Sequence, residues 1–166
     1  MSVPNFELVT ELQTLTRRDF PMADSTLLAP MTTGAIIDGE WLNLNGSYQL
    51  ARETVGVGGT HEGNKATVYP IHTERGRYDT QAIGKANVLM LGMYEAETKV
   101  VSAAYLAAAA VGDFLTVQDV SYAGYATRRG LGVKTGAAVV VVGVVSRVVA
   151  GSGKIRFVHF GNMLHA

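Results

Sequence analysis

The sequence predicts an all-β protein, a β-barrel or β-sandwich core with an extended N-terminal arm. Three observations predict it. Short runs rich in β-branched and aromatic residues recur between Gly, Asn and Asp turn signals, roughly every 8–12 residues. The runs Ala137–Val149 and Lys154–Phe160 flank a Gly151-Ser152-Gly153 loop, the pattern of an antiparallel hairpin. Val139 to Val142 are apolar at successive positions, so both faces of that strand are expected to be covered. Each of the eight valines between Val139 and Val149 contributes roughly 1.5–3 kcal/mol when buried, before chain entropy is subtracted. This hairpin is the expected core.

Two domains' worth of character divide the chain: residues 1–33 as arm and connector, and residues 34–166 as the β domain. In the arm, Leu8, Leu12 and Leu15 recur at helical spacing, Asn5 suits an N-cap and Pro21 stops a helix. The spacing predicts a short amphipathic helix from about Phe6 to Arg17. A helix that short is marginal in water and must dock, either on its own barrel or on a neighbouring subunit. Deleting residues 1–20 is expected to leave the barrel folded. From Arg17 to Thr33 the composition predicts an extended connector.

Beyond Gly34, the Asp38–Gly39 turn precedes Trp41 with alternating Leu42 and Leu44, and Asn45–Gly46 turns the chain into the run at Tyr48. Val55–Asn64 is a glycine-rich loop. Ala66–Ile71 is a strand that Pro70 assigns to an edge or end. Ala86–Tyr94 is another, with Gly92 as a bulge. Alanines dominate residues 102–111, which favours helix; the strong strand patterns on either side favour strand plus loop, the reading adopted. Alternation resumes over Phe114–Val120.

The composition narrows the function. At 166 residues, the chain suits one core that needs no staples. It has no cysteine, which removes disulfides, thiolate metal sites and cysteine nucleophiles. No apolar run approaches the roughly 20 residues of a membrane span. The opening residues lack a basic region followed by an apolar stretch, so no signal peptide is expected. Residues 1–119 hold eight Lys and Arg against fourteen Asp and Glu, a balance of −6; residues 120–166 hold six bases and no acid, +6. Either basic C-terminal strands pair across the sheet with acidic ones, or a basic face with Ser146, Arg147, Lys154 and Arg156 pointing outward meets an acidic partner. The bases are not clustered or interleaved with aromatic residues, a poor nucleic-acid footprint.

No catalytic constellation emerges. His61–Glu62 lacks the second histidine of a zinc-protease motif, since Lys65 stands there. His72 and Glu74 share a strand face, with no third ligand nearby. Lys134–Gly136 echoes one element of penicillin-binding enzymes, without their Ser-x-x-Lys. His159 reads as a partly buried strand histidine. Thr73–Lys85 is dense in charge, and Arg75, Arg77 and Asp79 suit an ion-pair network across a subunit interface better than isolated exposed pairs, worth about 0–1 kcal/mol each. Arg128 and Arg129 form a second such candidate.

Four phrases carry a resemblance: AIIDGEWL (35–42), GRYDTQAIGK (76–85), AAAVGDFLTV (108–117) and TGAAVVVVGVVSRV (135–148). They resemble head decoration, or cement, proteins of tailed bacteriophages. The resemblance covers roughly Gly34 to Phe160 and implies a small non-enzymatic β protein with no cofactor, metal or catalytic residue to carry over. It implies binding to the outside of the major capsid protein lattice, as homotrimers or as dimers, in the virion after synthesis in the bacterial cytoplasm, without nucleic-acid or membrane partners. This chain departs from that pattern in its longer N-terminal segment and its Thr73–Lys85 loop. The expected contacts with partner or neighbouring copy are Phe6, Leu8, Leu12, Leu15, Arg17, Arg18 and Phe20 of the arm, with Arg75, Arg77, Asp79, Arg128 and Arg129. Alternative functions are a tail or baseplate β protein, or a metal-binding jelly-roll enzyme using His72 and Glu74.

Overall fold

The valine-rich hairpin forms as its pattern predicts. In a computed structural model of the chain, which describes residues 6–13, 16–23, 36–37, 39–44, 47–52, 68–70, 85–122, 125–133, 139–149 and 151–165, β10 (Val139–Val149) pairs antiparallel with β11 (Lys154–His165). The connection works because Gly151 and Gly153 adopt φ of 78° and 67°, a region open to glycine and strained for other residues. Val141 and Val142, adjacent in sequence, are both fully buried, next to a register shift between Val141 and Gly143.

The remaining elements are β1 (Phe6–Glu11), β2 (Thr16–Pro21), β3 (Trp41–Leu44), β4 (Leu50–Ala51), β5 (Val68–Pro70), β6 (Lys85–Leu91), β7 (Tyr94–Thr98), the one-turn helix α1 (Ala103–Leu106), β8 (Phe114–Tyr122) and β9 (Tyr125–Val133). The main sheet has six strands in the order β1-β7-β11-β10-β8-β9, all antiparallel. The pair β2-β6 and the trio β4-β3-β5 form two smaller sheets. Pro70 is the last residue of β5, an edge strand of the trio.

The all-β expectation holds; closure into a barrel does not. β1 and β9 stand at opposite ends of the main sheet. The outer side of β9 is occupied at Leu131, whose N–H donates to the Val100 carbonyl at 2.9 Å and whose carbonyl accepts from the Ser102 N–H at 3.0 Å. This close approach requires Gly130, because a Cβ there would sit 2.5 Å from the Val100 oxygen. On β1 the register slips between Leu8 and Thr10, a bulge that bends the edge.

Three local expectations are corrected. The described residues of the expected helix Phe6–Arg17 are not helical: β1 joins the main sheet beside β7, and β2 pairs with β6. Ala86–Tyr94 is not one bulged strand, since Gly92, at φ 108°, divides it into β6 and β7, which belong to different sheets. Residues 102–111 contain no strand. They hold α1, anchored by buried Tyr105, followed by a turn in which the Asp113 carboxylate accepts from the Ala110 N–H at 2.9 Å and from the Tyr105 hydroxyl at 3.1 Å.

Alternation places the core on one face of the main sheet. Tyr94, Ala96 and Thr98 of β7 are buried while Glu95 and Glu97 between them are not. Ile155, Phe157 and His159 continue that buried face on β11, and Leu115 and Val117 on β8. The three-stranded sheet lays Trp41 onto it: the indole lies 6.3 Å from the Phe157 ring and 5.8 Å from the His159 ring, between centroids.

Candidate interaction surface

The buried face carries one polar cluster. His159 stacks on Tyr94 at 4.8 Å between centroids, and its Nδ1 lies 2.6 Å from the Val142 carbonyl, which can only accept, so Nδ1 holds the proton. Burial pushes the imidazole down to about 4 and drives the Tyr94 phenol well above its ordinary value. This imidazole is packed as a core group. Among the described residues no three His, Asp or Glu side chains group closely enough to hold a metal ion; His72 and Glu74 lie outside them.

The opposite face of the main sheet, over β1, β7, β11 and β10, is charged and laid out by register. Glu7 stands opposite Glu97, Glu97 opposite Arg156 and Arg156 opposite Arg147, one row across four adjacent strands. Like charges at Glu7 and Glu97 are relieved by Lys154, whose Nζ lies 3.8 Å from Glu7 and 3.4 Å from Glu97. The Arg156 guanidinium donates to Glu97 at 2.6 Å, and this bond, ahead of the others, holds the Glu97 carboxyl below its usual range. Next along the strands, Ser146 donates to Glu95 at 2.6 Å. Beyond it runs a second row in which Val144 faces both Phe114 and Val158. Val144 and Val158 are half-buried; Phe114 is 45 % exposed.

Of the two readings of the +6 C-terminal segment, cross-strand pairing accounts for most of its described bases. Arg156 and Lys154 pair with Glu97, and Arg129 of β9 pairs with Asp119 of β8. Lys154 lies on the charged face and is buried there between Glu7 and Glu97. Arg147 is exposed, as expected, and forms no ion pair among the described residues.

The expected contact residues separate. Phe6 is buried in the core, edge-on to Tyr94 at 6.5 Å between centroids, and Leu8 packs against the same core. Phe20, Arg128 and Arg129 are also buried within the chain. Leu12 is 49 % exposed just past the end of β1, and Val9, at the bulge, is exposed as well. Arg17 and Arg18 lie on β2 opposite Leu89 and Val88. Leu15, Arg75, Arg77 and Asp79 lie outside the described residues. Sequence reasoning did not single out Glu7, Phe114, Val144 and Val158 as surface residues; the signal was strand parity, which needs the register to be read.

What this side of the molecule can do is bind. It offers a sheet whose ladders fix the spacing of its charges, the exposed ring of Phe114 beside two half-buried valines, and an edge strand with exposed Val9 and, just past its end, exposed Leu12. No protein-family model, curated protein or solved structure matches the chain.

Proposed function

We propose that this chain is a structural virion protein that binds the outside of a phage head's major capsid lattice and stabilises it. The observation that carries the reading is the edge strand β1. It is locked to the core by Phe6, yet it turns Val9 and Leu12 to solvent, and among the described residues it pairs with β7 alone. An exposed apolar edge on a stiff sheet is a contact element. Three of the four resemblance phrases support the same reading through local structure; GRYDTQAIGK lies outside the described residues but for Lys85. AAAVGDFLTV spans the Asp113 turn, with Gly112 at φ 95°, and enters β8; AIIDGEWL turns at Gly39, at φ 79°, and enters β3; the valine phrase is β10.

A cement protein needs a core that resists deformation and a surface that grips its neighbours. The six-stranded sheet supplies the first and the β1 edge the second. Purified chain should therefore co-sediment with isolated heads of the phage that encodes it and not with isolated tails. Leu12→Asp should weaken head binding by at least about tenfold, as loss of an interface anchor does, with unchanged thermal unfolding. Binding to tails alone would replace the reading with a tail or baseplate role.

A further inference from the structure

From the charged row we infer a self-association surface: the solvent side of β1, β7, β11 and β10 is built to receive a second copy of this chain about a two-fold axis.

Cross-strand register lines up the charges. Read across adjacent strands, the row is Glu7, Glu97, Arg156, Arg147: acid, acid, base, base. Its inner members are paired within the chain, and its ends are not equivalent. The Glu7 side chain is 53 % exposed, with Lys154 only at 3.8 Å, while Arg147 at the other end is exposed without an ion pair among the described residues. Such a strip is complementary to its own reversal. A two-fold axis parallel to the strands, passing between β7 and β11, reverses it end for end. Glu7 then faces Arg147 of the second copy, Arg147 faces Glu7, and the two Glu97–Arg156 pairs close into a four-charge cluster. A two-fold contact repeats each interaction, so one designed pair counts twice.

The flanks agree with this operation. Phe114 lies on β8, one strand beyond Arg147, and rotation carries it just past the far edge of the strip. That edge is β1 of the second copy, where the bulge leaves Val9 exposed. Val144 then lies over Thr10 of the second copy. The reverse choice, an axis running across the strands, would set Glu7 on Glu7 and Arg147 on Arg147, like charges opposed. Along this row the strand-parallel axis opposes acid to base.

The inference does not rest on the phage-head reading. It concerns the purified chain alone, so failure of either leaves the other standing.

The test is sedimentation equilibrium of the full chain with two single reversals, Glu7→Arg and Arg147→Glu, alone and mixed. The wild-type chain should form dimers whose dissociation constant rises roughly tenfold or more with added salt, as the screening length falls from about 10 Å at 0.1 M to about 3 Å at 1 M. Each reversal alone should be monomeric where the wild type is dimeric, because each places like charges together twice. Mixed in equal amounts they should form a one-to-one dimer, since every contact then pairs an acid with a base. Circular dichroism of each variant checks that it is folded, and recovery in the mixture shows that neither reversal acted through misfolding. A wild-type chain that stays monomeric up to about 1 mM would overturn the inference. So would oligomers that ignore both reversals, or variants that fail to recover on mixing.

Discussion

His159 sits against Tyr94 and Trp41 with its protonated Nδ1 committed to the Val142 carbonyl. Charging the ring means placing a cation among aromatic side chains, which is why its value falls from 6.5 to about 4. The sign follows. Between those values the unfolded chain takes up a proton that the folded chain refuses, so stability is full above pH 6.5 and declines as pH drops toward about 4, by up to about 3 kcal/mol. Glu97, whose value is lowered mainly by Arg156, contributes stability that is lost only below its ordinary 4.5. Among the described residues, the upper part of the acid limb therefore belongs to His159. His159→Asn, which keeps a donor near the Nδ1 position, should flatten stability between pH 6.5 and 5 in urea titrations. An unchanged slope would mean that another group titrates there. Val141 makes a second residue-scale case. It is fully buried, so Val141→Asp buries an unpaired charge and should yield no soluble folded protein on expression.

At the scale of elements, the N-terminal strand is the finding with most consequence. Phe6 fills a core position against Tyr94, so residues 6–11 belong to the main sheet and are not a detachable arm. Phe6→Ala should cost about 3–5 kcal/mol in chemical denaturation, in the range of buried phenylalanine truncations, and deleting residues 1–20 should destabilise the β domain, contrary to the sequence-based expectation. The misreading has a physical cause. A spacing of four, as between Leu8 and Leu12, is even and fits one face of a strand as well as a helix. Only Leu15 broke the tie, while pairing with β7 decided the outcome. The valine-rich hairpin was legible because its signals agree: β-branched runs, glycines at the two positive-φ positions and no competing helix pattern. The alanine-rich stretch was not. Its preference for helix survives for a single turn between the Val101–Leu131 bridge and β8, too short for periodicity to register.

At the scale of the whole molecule, the described residues form an open six-stranded antiparallel sheet with a packed face and, over β1, β7, β11 and β10, a charged face, together with two smaller sheets. Which residues share the charged face was only half legible. The charge asymmetry of −6 and +6 announced that acidic and basic strands meet. That Glu97 lies between Arg156 and Glu7, and that Arg147 ends the row, depends on the order β1-β7-β11-β10, which no local pattern encodes. The apolar row of Phe114, Val144 and Val158 was hidden for the same reason. The two proposed partner surfaces meet at β1: Leu12 beyond its end for the shell, and the charged face, with Val9 beside it, for a second copy.

The central claim is attachment to the outside of a phage head, and direct imaging tests it. Heads of the encoding phage assembled without this protein should show a bare outer shell by electron cryo-microscopy. After incubation with the purified chain, the same heads should carry extra density at regular lattice positions, and that density should be missing when Leu12→Asp protein is used. A shell that stays bare at saturating protein, or density confined to the tail, would contradict the account.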